Sequence, residues 1–241
     1  MIGSRFATSA IAFAALTYCG TTAGAAMGPC TPAVFDLMCG NGDGAARVVV
    51  KTISPSKRLG FAWRLADRPP SKPNANDPKL ENLVVRVADG AVLARSHGAY
   101  WDLGAKIAKA YLMSAWSPDS RLFVKVEQRA ASVSAELFAF ADKDAAVGPF
   151  DLASVIMPAI EAKMGANEMN YSTLVFMVHP AMTMSDRGTL HATVAMRQGK
   201  YGPDGPVYDV TVQVTPATRL LDAKVVSVVP HVGASISVTV Y

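Results

Sequence analysis

Cysteine is scarce in this chain, with three residues in 241, and histidine scarcer than usual with four. So few soft or imidazole ligands, without Cys-x-x-Cys or His-Glu-x-x-His spacing, exclude the common zinc-site patterns. Missing too are a Gly-x-Ser-x-Gly elbow and a phosphate-binding glycine loop, so no hydrolase or nucleotide-binding motif is written in the sequence. After residue 26 no run of 18 uninterrupted apolar residues occurs, which excludes a membrane-spanning helix from that part of the chain. Charged residues are only 17% of the chain while hydrophobic ones reach 51%, a balance that supports a packed core and excludes a disordered chain.

What is present begins with a leader. Arg5 precedes an apolar run from Phe6 to Tyr18, and Thr-Thr-Ala-Gly-Ala-Ala follows with Ala23-Gly24-Ala25 as a small-residue cleavage site. The run is too short to span a bilayer, so residues 1–26 read as an export signal cut near Ala25/Ala26, placing the mature protein in the periplasm or outside the cell. Cys19 is lost with the leader. Cys30 and Cys39 then remain as an even pair in an oxidising compartment and are expected to form one disulfide, worth roughly 2.5 to 3 kcal/mol for so short a loop.

Loss of Arg5 lowers the formal charge from +4 to +3, but the distribution is uneven. Arg47, Lys51, Lys57, Arg58, Arg64, Arg68 and Lys72 face Asp67 alone over 26 residues. Such a segment outside the cytoplasm suits an anionic envelope polymer or an envelope protein as partner, and nucleic acid is not expected there. The same charges also suit the solvated side of edge strands, where they discourage pairing.

Period-two alternation dominates the remainder. Leu59, Phe61, Trp63 and Leu65 alternate with Arg58, Gly60, Ala62 and Arg64, the pattern of a half-buried strand. Four prolines between 69 and 78 mark an exposed loop. Leu83, Val85 and Val87 lead into Asp89-Gly90, a hairpin turn, and Val92 follows. Leu122, Val124 and Val126 form another strand, with 135–140 as its hairpin partner. Gly148-Pro149 is read as a break, after which Asp151 caps a helix through Leu152, Val155, Ile156 and Ile160, strained by Pro158 and ended by Gly165. Beyond it Leu174–Val178, Leu190–Met196, Tyr208–Val214, Ala223–Val229 and Ile236–Val240 supply strands.

The predicted fold is therefore mainly β to α+β: an antiparallel meander, then one helix packed on an antiparallel sheet. The expected organisation is a signal over 1–26, a disulfide-pinned segment over 27–45, a meander over 46–147, and a helix-plus-sheet region over 148–241, the last two compatible with one continuous domain.

Ser54-Pro55-Ser56-Lys57-Arg58-Leu59 is echoed by Ser117-Pro118-Asp119-Ser120-Arg121-Leu122, each launching a strand. The second copy, with Trp116 before it, resembles the Ser-Pro-Asp-Gly turn of TolB-type and related β-propeller repeats over roughly 82–140. That resemblance implies hairpin units of a docking platform. The 63-residue spacing is too long for one blade, so a complete propeller is not expected. The stretch also resembles uncharacterised exported bacterial proteins sharing Tyr-Trp-Asp and Trp-Ser-Pro-Asp-Ser-Arg, here 100–102 and 116–121.

For function, the leader joined to the missing catalytic constellation predicts a non-catalytic exported binding protein of the envelope without cofactor or metal. Its contacts are expected on the loop from Ser96 to Gly104, through His97, Tyr100, Trp101 and Asp102, since aromatic side chains on loops anchor partners. Arg58 and Arg64 form a second expected patch. The rival expectation is an exported hydrolase in which His97, His179 or His191 meets an acid and a hydroxyl only in the fold.

Overall fold

The computed structural model describes residues 26–34, 36–74, 76–103, 110–129, 132–141, 144–164, 173–198, 204–216 and 220–234. The strands are β1 (Cys30–Pro32), β2 (Leu37–Cys39), β3 (Ala46–Val48), β4 (Leu59–Leu65), β5 (Leu80–Arg86), β6 (Val92–Ser96), β7 (Tyr111–Trp116), β8 (Leu122–Arg129), β9 (Ser132–Phe140) and β10 (Ala146–Asp151). One helix, α1 (Ala153–Glu161), separates these from β11 (Thr173–Phe176), β12 (Thr183–Met184), β13 (Thr189–Arg197), β14 (Asp204–Pro216) and β15 (Leu221–Pro230). They make three antiparallel sheets, β1 to β6 in chain order, then β10-β9-β8-β7, then β11-β13-β14-β15 with β12 on β13. This is the expected strand-rich architecture with one helix, and among the described residues no closed barrel or propeller forms.

The sheets stack face to face in chain order, because each carries apolar side chains that must be covered. Between the first and second lie Phe61, Trp63, Leu65, Tyr100 and Trp101 against Phe123, Phe138 and Phe140. Between the second and third lie Val124, Val126 and Leu137 against Leu190, Val194, Val210 and Val212, with Ile156 and Ile160 of α1 filling the same core. The far side of the first sheet buries Val48, Ala62, Leu83 and Val85. It is closed off by the N-terminal segment, whose Cys30 N–H donates to Val87 O at 3.0 Å and Gly28 N–H to Asp89 O at 3.0 Å. The Cys30–Cys39 disulfide joins directly opposed residues of β1 and β2 and pins that cover.

Two expectations change in this light. The strand at 59–65 is not half-buried: Gly60 and Ala62 are as buried as Phe61, because the N-terminal cover packs on their side. β8 is likewise enclosed on both faces, lying in the middle sheet, so its alternate residues Lys125 and Glu127 are interior. Gly148-Pro149 lies inside β10, at a register shift against β9, and the strand continues to Asp151. Asp151 accepts the Ala153 N–H at 3.0 Å as the helix begins, and α1 accommodates Pro158 in its second turn. The expected stop at Gly165 and the strand at Ile236–Val240 lie outside the described residues.

The echoed turns are one device in space. In the first, Ser54 N–H donates to Leu59 O, Lys57 N–H to Ser54 O, and Leu59 N–H to Ser54 Oγ at 3.1 Å. Ser117, Ser120 and Leu122 repeat those three bonds, with Leu122 N–H to Ser117 Oγ at 2.8 Å. A third turn at Ser185, closing on Gly188 and Thr189, makes the same set one residue shorter. Position four of each, Lys57, Ser120 and Gly188, has positive φ of 59°, 63° and 73°. Each turn launches an inner strand of its sheet, β4, β8 or β13, and the turns interlock across sheets. Ser56 N–H donates to Ser120 Oγ at 3.0 Å, and Asp119 N–H to Asp186 Oδ1 at 3.1 Å.

Candidate functional site

At the end of the stack away from these turns, the interface between the first two sheets changes from aromatic to charged. Lys125 of β8 stands directly opposite Glu136 of β9, with Glu127 two residues along the same face. All three are almost fully buried. A buried charge is tolerated only when paired and hydrogen-bonded, and here each is. Lys125 Nζ donates to Ser96 Oγ at 3.0 Å and His97 O at 2.8 Å, and reaches Glu136 Oε2 and Glu127 Oε2 at 3.3 Å. It also lies 5.6 Å from the centroid of the Phe61 ring. Arg129 pairs with Glu127 from the rim.

The loop after β6 closes over this network. His97 N–H donates to Glu136 Oε1 at 2.8 Å, and His97 Nδ1 meets the same oxygen at 2.8 Å. Gly98, at φ 104°, passes so close that a Cβ there would lie 2.2 Å from Glu127 Oε2. Only glycine fits both the conformation and the space. Tyr100 is then fixed by Asn82, whose Oδ1 accepts the Tyr100 N–H at 2.9 Å and whose Nδ2 donates to Tyr100 O at 2.8 Å.

Within the expected contact loop, exposure is divided sharply. The His97 side chain is 83% exposed, whereas Tyr100 and Trp101 are core residues and Asp102 is buried. Tyr100 Oη donates to Asp102 Oδ2, and burial together with that carboxylate drives the phenol pKa far upward. The nearby Asp36 carboxyl is raised by burial and by Asp102, against the lowering effect of Arg47. Lys51 is lowered by burial, its ammonium 5.4 Å from the Tyr111 ring centroid.

Arg58 and Arg64 do not share one patch. They stand at the two ends of β4, about 20 Å apart at strand rise, and the residues between them are covered. Arg58 pairs with Asp144, and Arg64 Nη2 with Glu81 at 2.6 Å. Arg47 pairs with Asp36, and Arg68 with Asp67 and Asp77. The local excess of positive charge in the sequence is thus largely matched by acids brought from elsewhere in the chain.

Of the other histidines, His179 and His191 are exposed. His191 Nδ1 lies 3.2 Å from Thr211 Oγ1. His231 Nδ1 meets Asp209 at 2.9 Å, and Asp209 also accepts from Thr193 Oγ1 at 2.7 Å. His231 Nε2 is buried without a hydrogen-bond partner among the described residues.

Two clefts open near these features. One of about 180 Å³ lies beside the loop, lined by Gly98, Ala99, Glu127, Arg129, Ser132 and Ser134. The other, of about 120 Å³, lies at the turn ridge between Arg58, Ser120 and Asp144. Among the described residues, no three His, Cys, Asp or Glu side chains are placed to hold a metal ion, and no helix is long and apolar enough to cross a membrane.

The alternation at 122–127 carries no sign of the Lys125–Glu127–Glu136 network, because it does not tell what covers the second face of β8. The cross-strand opposition of Lys125 and Glu136 carries the signal once both sides of β8 are covered. No family model, no curated protein and no solved structure matches the chain.

Proposed function

We propose that this chain is an exported, non-catalytic binding protein of the cell envelope that meets its partner at the face bearing the Ser96–Asp102 loop. One observation carries the reading: the His97 ring is displayed to solvent on a loop tied to the scaffold on both sides of it. Glu136 holds its ring and backbone, Asn82 holds Tyr100, and Lys125 holds the His97 carbonyl. A contact group whose ordering cost is already met in the free protein binds with less entropic loss. Tyr100 and Trp101 act from beneath, as rigid supports, and Asp102 fixes the phenol.

The dimensions of the clefts favour a macromolecular partner, since small-molecule sites occupy about 300 to 1,000 Å³. Arg129 offers donors at the rim beside the exposed His97 ring, which suits an anionic envelope polymer or a carboxylate-bearing envelope protein. The export reading rests on the leader and agrees with a disulfide at Cys30–Cys39. Capture from envelope extract by wild-type protein and by His97→Ala with Arg129→Ala tests the site. Loss of one reproducible partner supports it, and identical capture of every partner removes this face.

A second reading, hydrolysis, draws on the same imidazole. Glu136 occupies Nδ1, so Nε2 is the nitrogen open to accept a proton, the arrangement of an oriented general base. Turnover of an ester, peptide or glycan that disappears in both His97→Ala and Glu136→Gln would favour the enzyme over the binding module.

A further inference from the structure

β15 is the last strand of the third sheet, and no described strand pairs with its outer edge. The direction of its main-chain groups follows from the ladder. Val214 N–H donates to Gly188 O, on the β13 side. Successive residues of an antiparallel strand turn their N–H and C=O to opposite sides, so Gln213 and Thr215 face β15 and bond with their partners Lys224 and Asp222. Leu221, Ala223 and Val225 therefore turn their main-chain donors and acceptors outward. Such an edge is a template for another strand.

The solvent-facing side chains select the kind of strand. Leu220 is 68% and Val226 56% exposed, and Asp222 and Lys224 between them are exposed as well. We propose that this edge pairs with the same edge of a second copy of the chain, antiparallel, about a two-fold axis at Ala223. In that register Lys224 stands opposite Asp222 of the second copy, and Val226 opposite Leu220 of the second copy. Symmetry makes each contact twice. The two ion pairs fall at positions without cross-strand hydrogen bonds, where side chains approach most closely.

Neighbouring registers lack this fit. An axis at Asp222 sets the two Asp222 carboxylates against each other, and an axis at Lys224 does the same to the ammonium groups. A lone edge lysine commonly guards against pairing. Here the guard has its complement two residues away, on the same face, at the spacing that a two-fold axis requires.

Sedimentation of the purified protein across a concentration series, with Lys224→Asp, Asp222→Lys and the double exchange, tests the interface. Both positions are exposed, and circular dichroism verifies that each variant is folded. The expected result is a wild-type dimer, at least a tenfold rise in its dissociation constant for each single reversal, and recovery in the double exchange. A wild-type monomer at high micromolar concentration overturns the proposal, as does a dimer insensitive to the reversals. A monomer that dimerises only after removal of residues 235–241 assigns the edge to that segment and overturns it too.

Discussion

Lys125 is the residue on which the interface between the first two sheets turns. Its ammonium is enclosed by two carboxylates, a hydroxyl and a carbonyl, and removing one member of a buried ion cluster leaves the others without compensation. Lys125→Met is expected to cost about 3 to 5 kcal/mol, read as a fall in the urea midpoint, because Glu127 and Glu136 stay buried without their cation. Replacing all three by Met, Gln and Gln should recover part of that loss. A single variant as stable as wild type would show that the network is not needed to hold the sheets. Glu81 gives a pH-dependent counterpart. Burial pushes its carboxyl up, but hydrogen bonds and charge from Arg64 and Arg95 outweigh burial and hold it below its ordinary value of 4.5. A carboxylate lowered on folding stabilises the fold above its unfolded pKa, and the contribution is lost as pH falls through the folded value. Glu81→Gln is thus expected to melt lower than wild type at pH 7, with the gap shrinking below pH 4.5. A gap that is constant with pH would contradict the assignment.

Elements show where local signals sufficed and where they did not. The Asp89-Gly90 hairpin was legible because a tight turn needs positive φ, and Gly90 has φ 67°. The strands at 122–126 and 135–140 and the helix after Asp151 were legible from apolar spacing. The third launching turn escaped notice because Ser185-Asp186-Arg187-Gly188 has no proline and is a residue shorter, although its bonds are the same. Burial on both faces of β4 and β8 escaped for a different reason: alternation reports the chemistry of two faces, while what covers them is set by distant segments. The turns make a sharp prediction. Ser117 Oγ accepts from Leu122 N–H at 2.8 Å and Arg121 N–H at 3.1 Å in a fully buried position. Ser117→Ala leaves the Leu122 N–H without its side-chain acceptor, while the Arg121 N–H keeps Asp119 Oδ1 at 3.0 Å, and is expected to lower stability by about 1 to 3 kcal/mol in denaturant titration. An unchanged midpoint would mean that the turn shapes the strand entry without holding it.

At the scale of the molecule, the middle sheet decides whether the stack behaves as one body. Adjacent residues of β9 belong to different interfaces, Leu137 to the one with the third sheet and Phe138 to the one with the first. Every tryptophan, at 63, 101 and 116, lies at the first interface. Tryptophan fluorescence therefore reports on one interface while circular dichroism reports on strands throughout. If strand β9 couples the two cores, a cavity made in the second must be felt by probes in the first. Leu137→Ala is expected to cost about 2 to 5 kcal/mol, as large-to-small changes at fully buried leucines do. Both signals should move to the same lower midpoint, since coincident transitions are the mark of one cooperative unit. Should fluorescence keep its wild-type midpoint while circular dichroism divides into two steps, the first two sheets would hold together without the third, and the stack would be two folding units in series.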